Sequence, residues 1–146
     1  MLTFGDFLYL YEFYYGQTSS DVIAVPVLNL VKSLRNGAAH NNCLLANLSH
    51  GVSQPSKQIV AAVKELESIT TSQRKKKLSN RPMLEFTALI YVYGLIVTEK
   101  VKYHRTQELK WLFFIRIPEK KNFFVNNDLI ISNYKFACKI IQGFLK

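Results

Sequence analysis

Apolar residues recur at three- and four-residue steps along most of this chain, the spacing of helices that bury one face. Residues 3 to 15 predict a first helix. Thr3 is its N-cap and Asp6, three positions on, completes a capping-box-like pair. Phe4, Phe7, Leu8, Leu10, Tyr11, Tyr14 and Tyr15 surround much of that helix, so its outer face serves either a core and dimer interface or an RNA-stacking surface. Gly16 to Ser20 reads as a turn. Val22, Ile23, Val25, Val27, Leu28, Leu30, Val31 and Leu34 then predict a largely buried helix over about 22 to 41, with an extension to Asn47 left open. Asp21 is a candidate cap, and Pro26 delays the regular part until about its own position.

Ser49 to Pro55 is rich in helix breakers and reads as a loop. Ser53 or Ser56 caps an amphipathic helix carrying Ile59, Val60, Val63, Leu66 and Ile69. The polar, basic stretch Thr70 to Asn80 reads as a mobile connection. Asn80 as cap and Pro82 in the first turn announce a long apolar helix to about Tyr103. Leu109 to Ile117 is helix or strand, since Trp111 to Ile115 suits either, and Pro118 ends it. Asn127 or Asp128 opens a last helix reaching Phe144. With no repeat and no linker, the expectation is a single all-α domain over 1–146, a bundle of five or six helices.

Composition bounds this picture. A chain of 146 residues can bury about 70% of the surface it exposes when unfolded, enough for one core. The longest nearly uncharged apolar stretch, Phe86 to Val97, is too short to span a bilayer. The run Leu2 to Tyr15 contains Asp6 and Glu12 and lacks both a basic leader and a small-residue cleavage site, so no signal peptide is expected. Cys43 and Cys138 form no CxxC and read as reduced, part-buried thiols. A cytoplasmic protein is the expectation.

The net charge of +9 points to a polyanionic partner. Nucleic acid and an anionic membrane surface both satisfy it. RNA is the expected partner and no membrane, with peripheral attachment through the aromatic first helix a third reading. Residues 1 to 31 hold no Lys or Arg. Arg74, Lys75, Lys76 and Lys77 with Arg81 form one basic cluster, and Lys100, Lys102 and Arg105 a second. The first is either a solvated loop or an RNA-binding patch.

The chemistry concentrates at the end of the second helix, in Leu34-Arg35-Asn36-Gly37-Ala38-Ala39-His40-Asn41-Asn42. A histidine titrating near its usual value of about 6.5 can take a 2′-hydroxyl proton, a guanidinium can stabilise a phosphorane, and an amide can orient either. At about 100° per residue, Asn36 and His40 share a face whereas Arg35 lies about 140° away from His40, so one helix makes an incomplete site. Two copies related by a two-fold axis would pool both sets in one cleft. The simpler alternative is that Arg35 caps the helix C-terminus and His40 packs as a neutral polar residue. No Gly-rich phosphate loop, Ser-His-Asp set or H-E-x-x-H zinc motif is present, and His50 and His104 have no partners at ligand spacing, so no metal and no cofactor is expected.

That stretch resembles the LRN-x-x-AH signature of Abi-like abortive-infection proteins of the AbiD/AbiF type, members of the HEPN superfamily of all-helical ribonucleases. Thr3-Phe4-Gly5 resembles the family's TFG helix start, and Asn80-Arg81-Pro82 also fits. The likeness covers most of residues 1 to 100. Downstream of the histidine the family often carries a second His or an Arg, where this chain has Asn41 and Asn42, with Asn47 in the place of a family Asn. Family members are commonly about twice this length, which maps the chain onto their C-terminal half. The resemblance implies a HEPN-like bundle and a metal-independent endoribonuclease active in phage defence. Arg35, Asn36 and His40 would be catalytic at a homodimer interface, with a regulatory RNA or antitoxin as a further partner. A noncatalytic RNA-binding or toxin-antitoxin interaction module is the alternative.

Overall fold

The computed structural model describes residues 3–18, 23–45, 47, 48, 51 and 53–145. It is all-helical. In chain order the helices are α1 (Phe4–Thr18), α2 (Val25–Ala39), α3 (Lys57–Lys64), α4 (Thr71–Leu78), α5 (Arg81–Ile96), α6 (Glu99–Trp111), a π-helical turn (Leu112–Arg116), the short α7 (Ile117–Glu119), a 3-10 turn (Lys121–Phe123) and α8 (Asp128–Phe144).

Capping chemistry set most of the starts. The Thr3 hydroxyl accepts the Asp6 N–H at 3.2 Å, while Asp6 Oδ2 accepts the Thr3 N–H at 2.9 Å and its hydroxyl at 2.7 Å. These bonds hold the Asp6 carboxyl below its ordinary range. Ser56, Asn80 and Asn127 accept the N–H groups of Ile59, Met83 and Ile130. The proposed cap Asp21 lies outside the described residues. Here α2 begins at Val25 beside Pro26, and the Ala24 N–H donates to Gln58 Oε1 at 2.8 Å. That bond links the start of α2 to α3.

Four expectations are corrected. Gly16 to Thr18 continues α1 rather than turning, because Gly16 is exposed and a helix tolerates a glycine there at about 1 kcal/mol. The predicted connection 70–80 contains α4: the Thr70 hydroxyl accepts the Gln73 N–H, three lysines sit in the last turn where the helix dipole favours cations, and Leu78 is buried. The helix expected to run to Tyr103 breaks at Val97, which is extended, and resumes at Glu99. The β-branched run Ile96-Val97-Thr98 lowers helix propensity there. The α3 helix stops at Lys64 instead of reaching Ile69. These changes give more helices than the five or six expected.

The ambiguous segment 111–115 is helical, and its local form has a physical cause. The Ile117 N–H bonds the Leu112 carbonyl, so it is lost to Phe113, and the next residue, Pro118, has no N–H. The Phe113 carbonyl instead accepts the Tyr134 hydroxyl at 2.6 Å, and the two rings stack with centroids 6.2 Å apart. Burial pushes the Tyr134 phenol up to about 12.

The core is built around α5, which packs against α2 on one side and α8 on another, with α3 and α4 closing it. Val27 from α2, Ile59 and Val63 from α3, Leu78 from α4, Leu84 from α5, and Ile140 and Ile141 from α8 are all but fully buried. Each large side chain so buried contributes about 1.5–3 kcal/mol. Gly143 makes room for Leu66, since a Cβ at position 143 would lie 2.7 Å from the leucine methyls. Among the described residues of α1 only Leu8 is buried; Phe4 and Tyr11 pack part-buried on the core, whereas Phe7, Tyr9, Leu10, Phe13 and Tyr14 are exposed. No helix among the described residues is long and apolar enough to cross a membrane.

Tyr134→Phe keeps the ring stacking but strands the Phe113 carbonyl, and is expected to cost about 1–3 kcal/mol in urea unfolding. A change within experimental error would show that the hydroxyl does not compensate the proline.

Candidate functional site

The geometry of the site begins with how α2 ends. Asn41 adopts a left-handed conformation (φ 54°), its N–H bonds the Ala38 carbonyl at 3.2 Å, and the Asn42 N–H reaches back to the Gly37 carbonyl at 2.9 Å. This is a Schellman termination, and asparagine is among the few non-glycine residues that enter that region at low cost. The helix therefore stops at Ala39 and does not extend to Asn47. His40 is left as the C-cap, exposed at the helix end. The returning chain lays Leu44 over Gly37, where an added Cβ would sit 3.0 Å from a leucine methyl.

A cleft of about 540 Å³ lies in this corner, within the size range of ligand sites. Asn36 and His40 line it from α2, and Asn42, Leu44 and Asn47 from the returning chain. Arg81 and Glu85 close it from the first turns of α5. Arg81 Nε donates to Glu85 Oε1 at 2.5 Å. That single contact orients the guanidinium through Nε and leaves its paired Nη groups for an oxyanion. Arg81 also lines a neighbouring cleft of about 800 Å³, together with Tyr15, Asn29, Gln54 and Ser56.

Arg35 does not line the cleft. It is exposed on the other flank of α2, and its Nη1 donates to Asn36 Oδ1 at 3.1 Å. The helical-wheel separation expected from the sequence is the reason: Asn36 and His40 share a face and Arg35 does not. Among the described residues of one chain, the guanidinium or ammonium group lining the cleft is that of Arg81.

The basic cluster also divides. Lys75 and Lys76 are exposed on α4 and Arg74 is half-buried. Lys77 points inward: it is 5% exposed, and its Nζ donates to Asn133 Oδ1 at 2.7 Å. Helical periodicity, invisible while the segment read as a loop, turns the fourth residue of the run away from solvent.

Glu85 was missed by sequence reasoning, although the Arg81-to-Glu85 spacing of four residues on one helix was a readable signal. Cys43 is exposed rather than part-buried, and Cys138 is half-buried with its thiol pushed up by burial. Among the described residues no group of three or more His, Cys, Asp or Glu gathers as a metal site; His50 lies outside them. Comparison with protein-family models, with curated proteins and with solved structures finds no match for this chain.

Two substitutions test the termination of α2. Asn41→Gly should leave stability unchanged or slightly raised, whereas Asn41→Val should lose roughly 1–2 kcal/mol and shift the backbone amide signals of His40 and Asn42. Equal stability of the two variants would show that the left-handed turn does not set the end of the helix.

Proposed function

We propose that this protein is a metal-independent endoribonuclease of the abortive-infection type, acting in the cytoplasm as a homodimer. The observation that carries the reading is His40 standing exposed at the end of α2, in a cleft that Asn36 and Arg81 also line. The resemblance of Leu34 to His40 to the LRN-x-x-AH signature gives those positions their roles.

In this reading the His40 imidazole takes the proton of a ribose 2′-hydroxyl. The 2′-oxygen forms a bond to phosphorus, the bond to the 5′-oxygen breaks, and the proton passes to that leaving oxygen. The products are a 2′,3′-cyclic phosphate and a 5′-hydroxyl, and DNA, lacking the nucleophile, is inert. Charge on the phosphorane needs fixed donors. Arg81 supplies one within the chain. In this reading Arg35, which does not line the cleft of its own chain, serves the phosphate bound by a second copy, and the active unit is a dimer. The open aromatic face of α1, in a segment without lysine or arginine, is an apolar surface of the kind that copies of a chain cover in such an assembly.

A second reading, a noncatalytic RNA-binding or toxin-antitoxin interaction module, is favoured by the exposed Lys75 and Lys76 on α4 and by the net charge of +9. It uses the same partner without the chemistry.

The test is cleavage of a labelled RNA in the presence of EDTA. His40→Ala should reduce the rate by about 10²–10⁴-fold and Arg35→Ala by about 10²–10³-fold, with circular dichroism and oligomeric state unchanged. Cleavage that survives both changes, or that EDTA stops, contradicts the nuclease reading. RNA binding retained by His40→Ala, with no cleavage by the unaltered protein, selects the second.

A further inference from the structure

Lysine is almost never buried without a charged partner, because desolvation penalises the ammonium. Lys77 breaks that rule. It is 5% exposed, and its one hydrogen-bond acceptor is the uncharged Oδ1 of Asn133, itself 3% exposed. The Asn133 Nδ2 donor has no partner at all. Donors therefore outnumber acceptors between α4 and α8, and burial pulls the Lys77 ammonium below its ordinary range.

Lys77 lines a groove of about 380 Å³ between these helices, with Gln73 from α4 and Ser132, Lys135 and Lys139 from α8. Lys139 is pinned there, donating to the Ser68 carbonyl at 2.6 Å and to Gln73 Oε1 at 3.0 Å. Lys135 is exposed at the rim. The one acidic residue in the lining is Asp128, and it forms no ion pair with these lysines. Three lysines and a serine thus line a partly enclosed groove against a single carboxylate among the described residues, so positive charge is in excess there.

We propose that this groove is a binding site for a phosphate group, held by Lys77, Lys135, Lys139 and Ser132. A phosphate offers three or more acceptor oxygens on one atom, which suits several convergent donors better than the two oxygens of a carboxylate. Its charge also supplies the partner that Lys77 lacks. The site is separate in its residues from the His40 cleft, so it stands whether or not the chain cleaves RNA. The phosphate is either an internal diester of RNA or a monoester such as a nucleotide's.

The experiment is titration of the full chain with inorganic phosphate against chloride at matched ionic strength, following the backbone amide signals of Ser132 and Lys135. Saturable shifts are expected. Lys135→Ala should weaken binding by roughly tenfold, and Asp128→Asn should tighten it several-fold. Lys77→Met should abolish it, and the two rim variants keep the test valid if that one fails to fold. Competition then separates the sources: an RNA oligonucleotide without terminal phosphates displaces inorganic phosphate if the ligand is a diester, and a nucleoside monophosphate alone does so if it is a monoester. Absence of saturable shifts, insensitivity to Lys135→Ala and Asp128→Asn, or binding that neither competitor displaces would overturn the proposal.

Discussion

The packing of α2 on α5 is the contact on which the rest of the molecule depends. Val27, Leu28 and Leu30 bury one side of α2, and Met83, Leu84, Ala88 and Ile90 are among the residues that α5 buries. This fixes where the C-terminal end of one helix meets the N-terminal turns of the other. Both ends are chemically specified, by Asn41 in a left-handed conformation and by Asn80 as a side-chain cap. The cleft between them follows from those two asparagines. His40 stands on one wall because α2 can go no further, and Arg81 stands on the other because it is the first residue of α5.

The helix starts at Thr3, Ser56, Asn80 and Asn127 were legible, each with a side-chain oxygen that caps the first turn, whereas the equivalent cap at Thr70 was hidden in a polar stretch. Such caps are local chemistry and survive any change in tertiary context. What was hidden was decided by tertiary partners. The segment Thr71–Leu78 is too polar to show a helical stripe, yet Lys77 finds Asn133 across the core and Leu78 is buried. The π-turn at Leu112–Arg116 depends on Pro118 withholding a donor and on Tyr134, on a distant helix, replacing it. In the site, the angular separation of Arg35 from His40 was readable from helix geometry, while the place of Glu85 depended on which face α5 presents.

Charge and apolar exposure are segregated along the chain in a way that bears on association. The first 31 residues carry no lysine or arginine, and α1 presents Phe7, Tyr9, Leu10 and Phe13 to solvent. Lysines and arginines lie on α2 through α6, in the turns that follow α6 and on α8, with Lys32 of α2 beside Gly5 of α1. A second copy meeting α1 through these side chains would cover apolar surface and leave the basic residues of α4, α6 and α8 open to a polyanion.

The composite arrangement proposed for the site rests on Arg35, which does not line the His40 cleft of its own chain. Its most direct test is the structure of the solution oligomer, read as the separation and orientation of the two His40 side chains. The expected result is a two-fold dimer in which both imidazoles, with Arg35 of each copy, border one cleft that a single phosphodiester can occupy. A monomer at working concentration, or a dimer with the two histidines on opposite outer surfaces, would contradict it.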